Sequence, residues 1–499
     1  MRKIRVFLLN GILLTFTSLF LKVIGLSFNV YITNIIGAEG IGLFSLIMSV
    51  YLFWVTVANS SINLASTRIV AEEFAKDKIG GAKKAMKQCI SYSLILGICA
   101  STLLILFSSP IAKYWLHGKI STTPFYIIAI GLPFISMSSA INGYFSAVKR
   151  VSKTAITQIL ELFIKIGATV FLLTILLPKG VEFACIALIL GDCISEICSF
   201  SLLYFLYLLD KRRYHQKTAQ KSYAKEIAKI SFPVAITSYI RSGLSTIKQM
   251  IIPHNLEKSG LSCESALAQY GIIQGMVMPL LNFPMSFIAS FSSLLIPEIS
   301  YYYVKQDMIG IQKILQRIFK ITSIFSIGVI GIFLFFSQEL SVAIYYSNES
   351  SPFLLLLCPL ILLMYLDNII DSILKGLNKQ VSVMFCNILD LFTSILAILI
   401  FVPHFGIYGY VIMIFISEIL NFSISIQQLY HITKFHFDIW NFLIRPFASI
   451  LLSYFLLQSF SFFMINSFVS LVLKITIFIL LYLCFIFLSG ALTKKDIKF

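Results

Sequence analysis

The chain has 499 residues, of which 58% are apolar and 12% charged, with a mean hydropathy of +0.91. An ordinary soluble domain carries about 25% charged residues, so that class is excluded. The net charge of +17 lies in alternate loops, which points to anionic membrane lipids as partners and not to nucleic acid.

Met1-Arg2-Lys3-Ile4-Arg5 opens the chain, and the apolar run behind it passes Lys22 to reach Ile36 without a small-residue cleavage site. This reads as a retained first helix and not a signal peptide. With ~20 residues needed to cross ~30 Å of hydrocarbon, fourteen spans are expected. They are 8–33, 41–67, 88–109, 123–148, 154–177, 183–208, 228–252, 267–297, 316–337, 353–374, 381–402, 407–430, 443–464 and 468–490.

The basic residues fall in every second loop: 68–87, 149–153, 210–229, 303–320, 375–379 and 431–445, then Lys494, Lys495 and Lys498. Only Lys113, Lys119, Lys179 and Lys258 lie on the opposite boundaries, and Lys22, Lys165, Arg241, Lys248 and Lys474 lie inside spans. The other 30 of the 39 cations share one side. That is the positive-inside pattern, and it puts both termini in the cytoplasm. Outer loops are short and faintly acidic (Glu39, Glu182, Glu257, Glu264, Glu339, Glu349). No loop is long enough for a folded soluble domain. Nine cysteines show no metal or redox spacing, so no disulfide framework is expected.

The first twelve helices read as two parallel six-helix repeats. Gly42 pairs with Gly271, Lys76 with Lys305, Gly81 with Gly310 and Lys84 with Lys313 at one offset. Lys149 with Lys375, Lys153 with Lys379, Gly180 with Gly406 and Asp192 with Glu418 sit three residues off it. Lys22 pairs with Arg241, and Asn29 with Lys248. The expected division is an N-lobe at 1–210, a C-lobe at 211–433, and helices 13–14 with the tail at 434–499.

An ionisable side chain at membrane depth is costly and normally faces a wet cavity or a partner. The first helix carries Ser18, Lys22, Gly25, Asn29 and Thr33 on one face; the seventh carries Ser238, Arg241, Ser245 and Lys248. The second adds Thr56, Asn59, Asn63 and Thr67, and the eighth adds Asn282, Ser286, Ser290 and Ser293 beside Pro279 and Pro284. Face to face, these stripes would line a central cationic pocket. The competing reading is helix-to-helix glue and snorkelling. Arg68 is a candidate gate at the inner mouth, or a topology marker. Asp367 and Asp371, with Asn368, form a candidate coupling-ion site for Na⁺ or H⁺, or neutralise Arg241 or a neighbouring cation. Lys165 is expected to pair with Glu161, four residues away on one helix. Asp192, Glu196, Asp390 and Glu418 read as helix-to-helix bonds, and Lys474 as snorkelling. The chain has no phosphate loop, no metal constellation and no nucleophile–base arrangement. No catalytic residue, metal or cofactor is therefore expected.

Lys22-Val-Ile-Gly25, Ile36-Gly37-Ala38-Glu39-Gly40-Ile41-Gly42-Leu43 and Arg68-Ile-Val-Ala-Glu72-Glu73 resemble the opening of the stage V sporulation protein B-like family. Tyr270-Gly271, Met278-Pro279-Leu-Leu-Asn282-Phe-Pro284 and Pro297-Glu298-Ile-Ser300 resemble its eighth helix. That family lies in the polysaccharide branch of the multidrug/oligosaccharidyl-lipid/polysaccharide flippase superfamily. The resemblance implies an all-α multi-pass protein of the bacterial inner membrane, with two lobes, two further helices and alternating access. It implies outward movement of a lipid-linked saccharide, a peptidoglycan or polysaccharide unit on an undecaprenyl-type pyrophosphate, in envelope or spore-cortex synthesis. Lys22 stands where such flippases place a cavity arginine, while Asn29 and Asn34 replace other basic positions. The alternative is a cation-coupled multidrug exporter, whose pocket should be more apolar and acidic. A third reading is a non-transporting scaffold.

Overall fold

The computed structural model describes residues 2–115, 121–212, 222–435, 437–459 and 468–492. Lys119, the tail lysines Lys494, Lys495 and Lys498, part of the basic loop 210–229 and the end of the span 443–464 lie outside the described residues.

Among the described residues every regular element is helical. In chain order they are α1 (Arg2–Asn59), α2 (Ile62–Ala75), α3 (Ile79–Pro110), α4 (Thr123–Ala147), α5 (Val151–Leu176), α6 (Val181–Arg212) and α7 (Ala224–Lys258). Then come α8 (Cys263–Gly271), α9 (Met278–Val304), α10 (Met308–Tyr345), α11 (Ser351–Leu357), α12 (Leu360–Gly376), α13 (Gln380–Thr433), α14 (Arg445–Ser459) and α15 (Phe468–Leu488). Helices satisfy their own backbone groups, which hydrocarbon cannot do for them. Ten described segments are long and apolar enough to cross a membrane, eleven if the bent pair α11–α12 is one span. The protein is an all-α, multi-pass membrane protein.

The longest helices are interrupted at glycine. A straight 58-residue α1 would be roughly 87 Å long at 1.5 Å per residue. It breaks at Gly37 (φ 74°, ψ 179°), and the 54-residue α13 breaks at Gly406 (φ 55°). Both values lie where a Cβ is disfavoured.

Turn residues fix the register of the internal repeat. Asp77 and Gln306 are both left-handed (φ 55° and 58°), as are Lys149 and Asn378 (φ 57° and 61°). Each pair is 229 residues apart, and so are the helix starts Ile79 and Met308, and Val151 and Gln380. Lys149 therefore corresponds to Asn378 and not to Lys375. A search for matching lysines slips by three residues there, because the constrained element is the turn and not the charge.

The chain forms two compact units: residues 1–32, 36–254 and 263–268, and residues 33–35, 255–262 and 269–499. In the first unit, Ile62, Ile69, Met86, Ile141, Phe145 and Tyr207 form a buried core from α2, α3, α4 and α6. Small residues let these helices touch. A Cβ on Gly143 would lie 1.8 Å from Ser66 Oγ. Asp210, fully buried, ties the α4–α5 turn to α6: it accepts from Tyr144 Oη at 2.9 Å and pairs with Arg150 and with Lys153 at 3.2 Å. In the second unit, Ile327, Phe336, Ile450, Phe478 and Tyr482 form a core of α10, α14 and α15. Phe335 stacks on Tyr454 at 3.7 Å, and Tyr482 Oη donates to the Ile324 carbonyl at 2.8 Å.

Candidate functional site

Helix α7, which holds the seventh span expected from the sequence, is more polar than the ten described segments apolar enough to cross a membrane, and it meets α1 through one face. Thr246 Oγ1 donates to the Ser49 carbonyl at 2.9 Å, and Tyr239 Oη donates to the Val57 carbonyl at 3.3 Å and shares a hydrogen bond with Ser60. Gly243 lies between them, facing the Phe53 ring. At 3.6 residues per turn, Arg241, Ser245 and Lys248 lie roughly half a turn from this packed face. Arg241 is exposed, while Ser245 and Lys248 are half-buried. The polar stripe is thus the face of α7 that its α1 contacts leave open.

The stripe of α1 is similarly placed. Thr17, Phe28 and Ile32 are buried on one side of the helix, and Phe16, Val23 and Tyr31 are exposed on another. Lys22, Gly25 and Asn29 lie between these faces. Lys22 is exposed, a Cβ on Gly25 would meet nothing within 4 Å, and Asn29 is half-buried and engaged with a neighbour. Neither Lys22 nor Arg241 pairs with an acidic group among the described residues.

The second span, expected as one helix over 41–67, is broken. Ser60 and Ser61 adopt left-handed φ values of 43° and 56° between α1 and α2. Ser and Asn compete for backbone hydrogen bonds, so the run Asn59-Ser60-Ser61 is a poor place to continue a helix. The Ala58 carbonyl at the break accepts from Ser136 Oγ of α4 at 2.8 Å. Asn59 is half-buried with its Oδ1 unbonded, and Asn63 is exposed and accepts from Thr67 at 3.4 Å. Arg68 is exposed and bonds Glu72 one turn on, at 3.0 Å.

One expectation is overturned. Lys165 of α5 pairs with Asp192 of α6 at 2.6 Å, not with Glu161. Glu161 instead accepts from Ser199 of α6 at 2.6 Å, and Glu196 accepts from Tyr51 at 3.5 Å. Intrahelical spacing suggested the first pair, but α5 and α6 pack so closely that a cross-helix carboxylate is the nearer partner. Thr169 Oγ1 lies against Gly191, where a Cβ would stand 2.0 Å away. An enclosed space of about 10 Å³ beside Tyr51, Asp192 and Glu196 has room for about one water.

In the second unit, Asn282 is exposed and Ser286 buried on α9. The neighbouring Ser292 Oγ donates to Asn368 Oδ1 of α12 at 3.2 Å. Asp367 accepts from Asn421 Nδ2 of α13 at 2.8 Å, and Asp371 lies 3.7 Å from Lys375. Asp367 is therefore bonded across α12 and α13, and Asp371 has a neighbouring cation, one of the alternatives expected for the pair. Asp390 and Ser417, on opposite sides of the Gly406 break, are 2.5 Å apart. A π-helical turn at Ile272–Val277 joins α8 to α9, whose second residue is Pro279. An apolar groove of about 410 Å³ runs between α10 and α15, lined by Ile324, Gly328, Ile332, Phe478, Tyr482 and Leu483. A Cβ on Gly328 would lie 2.9 Å from the Tyr482 ring, so this glycine lets α15 approach α10 beside the groove.

Three known proteins resemble this chain along most of its length. Stage V sporulation protein B of Bacillus subtilis (strain 168) is 23% identical over 444 residues, which is 85% of this chain and 86% of that protein. The inward closed structure of the lipid II flippase MurJ superposes with a TM-score of 0.73 at 15% identity, covering 96% of this chain and 99% of that one. An inward-facing multidrug resistance transporter of the MATE family superposes with a TM-score of 0.64, also at 15% identity, covering 83% and 96%. At that identity the two structures establish the fold. The family described as polysaccharide biosynthesis protein matches residues 7–302, more than half of the sequence, and this chain belongs to it.

Proposed function

We propose that the protein is a flippase that moves a lipid-linked saccharide across the membrane by alternating access, with the two repeats (1–210 and 211–433) as the moving bodies. The observation that carries this reading is the pair of stripes on α1 and α7: Lys22 and Arg241, inside the spans expected from the sequence, are exposed and have no acidic partner among the described residues. Unpaired intramembrane cations face water or an anionic ligand, and a pyrophosphate head is such a ligand. In the mechanism, Lys22, Arg241 and Lys248 replace part of the hydration of the pyrophosphate, which lowers the barrier to crossing hydrocarbon. Asn29, Asn59, Asn63, Ser245, Asn282 and Ser286 supply neutral hydrogen bonds to the sugar. Arg68, which bonds its neighbour Glu72, guards the inner mouth. The tail stays in lipid, along the α10–α15 groove.

Asp367 and Asp371 are the coupling-ion site in this reading: a Na⁺ or proton bound there resets the empty carrier. What supports it is that Asp367, with Asp371 one turn on, is held by a neutral amide, Asn421 Nδ2 at 2.8 Å, and not by a cation. The cell-envelope or sporulation setting follows from the relatives.

A multidrug exporter is the second reading, favoured by the MATE-family likeness. Two observations weigh against it. That likeness leaves 17% of this chain without a counterpart, where the flippase leaves 4%. Exposed cations in the stripes would also repel an organic cation. The test is translocation of lipid-linked precursors in proteoliposomes, run beside a drug-resistance assay in a sensitive host. The flippase reading expects headgroup translocation and no resistance; the reverse would replace it with the exporter.

A further inference from the structure

Two cavities of the second unit share a single strip of α10. A cleft of about 380 Å³ is lined by Lys313, Gln316, Arg317, Lys320, Asp438 and Asn441. The apolar groove between α10 and α15 begins where that cleft stops, with Ile321 and Ile324 following Lys320. Lys313, Arg317, Lys320, Ile324 and Gly328 recur at steps of four, three, four and four, so one helix face runs from the cations into the groove. The cleft sits between the start of α10 and the segment around Asp438–Asn441, within the basic stretches 303–320 and 431–445 that the distribution of basic residues puts on the cytoplasmic side.

The cleft is electropositive. Three cations line it against one carboxylate, Asp438. That carboxylate is committed: hydrogen bonds from the Asn441 side chain hold it below the usual carboxylate range, helped by the Asn441 backbone N–H at 3.1 Å and by Arg445 nearby. Arg445 itself donates to Asn441 Oδ1 at 2.7 Å. Arg317 and Lys320 already have contacts within the fold and would share them with a ligand. Two net positive charges suit a head that carries two or more negative charges. Arg adds a bidentate fork that matches phosphate oxygens. One groove beside the cleft suits one hydrocarbon tail.

We infer that this strip is a loading site for a single-tailed lipid pyrophosphate, with the head on Lys313, Arg317 and Lys320 and the tail along the Ile324–Gly328–Tyr482 groove. It rests on the flippase reading and adds to it a stop on the cytoplasmic side, apart from Lys22 and Arg241, where the substrate is held before its head enters the stripes. A carrier lipid is sparse among bulk phospholipids, and such a site would raise its local concentration.

Trp440, adjacent to Asn441 and 57% exposed, reports on the cleft. The chain has three tryptophans, so W54F/W115F leaves Trp440 as the sole reporter. The full-length protein in detergent micelles is titrated with geranylgeranyl pyrophosphate (one tail), inorganic pyrophosphate (no tail) and phosphatidylglycerol (two tails, one charge). The expected result is a saturable Trp440 response to geranylgeranyl pyrophosphate about tenfold or more tighter than to either other probe. K313Q/R317Q/K320Q should weaken it about tenfold or more, with recovery in K313R/K320R, which keeps the charge. G328L, which pushes a side chain against the Tyr482 ring, should weaken the tailed probe and leave inorganic pyrophosphate unchanged. Equal binding of phosphatidylglycerol, equal binding of inorganic pyrophosphate, or a triple variant that binds like the parent would each overturn the site. K22A/R241A separates the two claims, since it should abolish translocation while leaving the Trp440 titration intact. Intact titration with no translocation by the parent sinks the flippase reading and spares this site; the opposite pattern sinks the site alone.

Discussion

Two groups of membrane-depth charges in the first unit differ in how they are held. On α5 and α6, Lys165, Asp192, Glu161 and Glu196 are each bonded across helices, around a space fit for about one water. On α1 and α7, Lys22 and Arg241 are exposed and have no acidic partner among the described residues. α1, α5 and α6 are each apolar enough to cross a membrane, so apolarity alone does not distinguish Lys22 from the α5–α6 group. The contrast teaches that packing closes one group of charges into helix contacts and leaves the other available to a ligand, as the proposed mechanism requires.

The comparison can be sharpened by breaking the scaffold group first. Lys165→Met leaves Asp192, 7% exposed, without its cation, and should cost about 3 kcal/mol of stability. Thermal unfolding in detergent would show it, and Lys165→Met with Asp192→Leu should recover most of the loss. A cheap single variant would mean that the pair is solvated and that the two groups do not differ as described. Gly143→Val should cost about 2 kcal/mol by overpacking, since its Cβ would meet Ser66 Oγ at 1.8 Å and the Asn63 carbonyl at 2.6 Å. The same melting assay reads it, and an unchanged midpoint would show that α2 and α4 can separate freely. The smallest effect is expected for Ser136→Ala, about 1 kcal/mol, from the lost bond to the Ala58 carbonyl. Faster amide exchange confined to residues near 58–62 would confirm that this bond steadies the broken span.

The sequence showed what periodicity and charge can carry. Apolar spans gave the all-helical membrane class, and the stripes on α1 and α7 were legible because polar residues recur at three and four. Packing partners were not legible. Lys165 has acids both on its own helix and on the next, and only the close approach of α5 to α6 selects Asp192. The break at Ser60–Ser61 was visible as a polar run, but such a run serves equally as glue in a continuous helix. The repeat was found through lysines and glycines, while its true register is set by left-handed turn residues at Asp77, Lys149, Gln306 and Asn378. The groove along Gly328 depends on how α15 lies against α10, which no local pattern encodes.

Everything functional here rests on open cations at membrane depth meeting a phosphorylated head. The most direct measurement is headgroup translocation of a lipid-linked saccharide in proteoliposomes, comparing the parent with K22A/R241A and with K165M/D192L. Loss of two charge-assisted phosphate contacts should slow transport about 100-fold or more in K22A/R241A at unchanged melting temperature. K165M/D192L should transport at close to the parental rate. Parental flipping by a well-folded K22A/R241A would contradict the account.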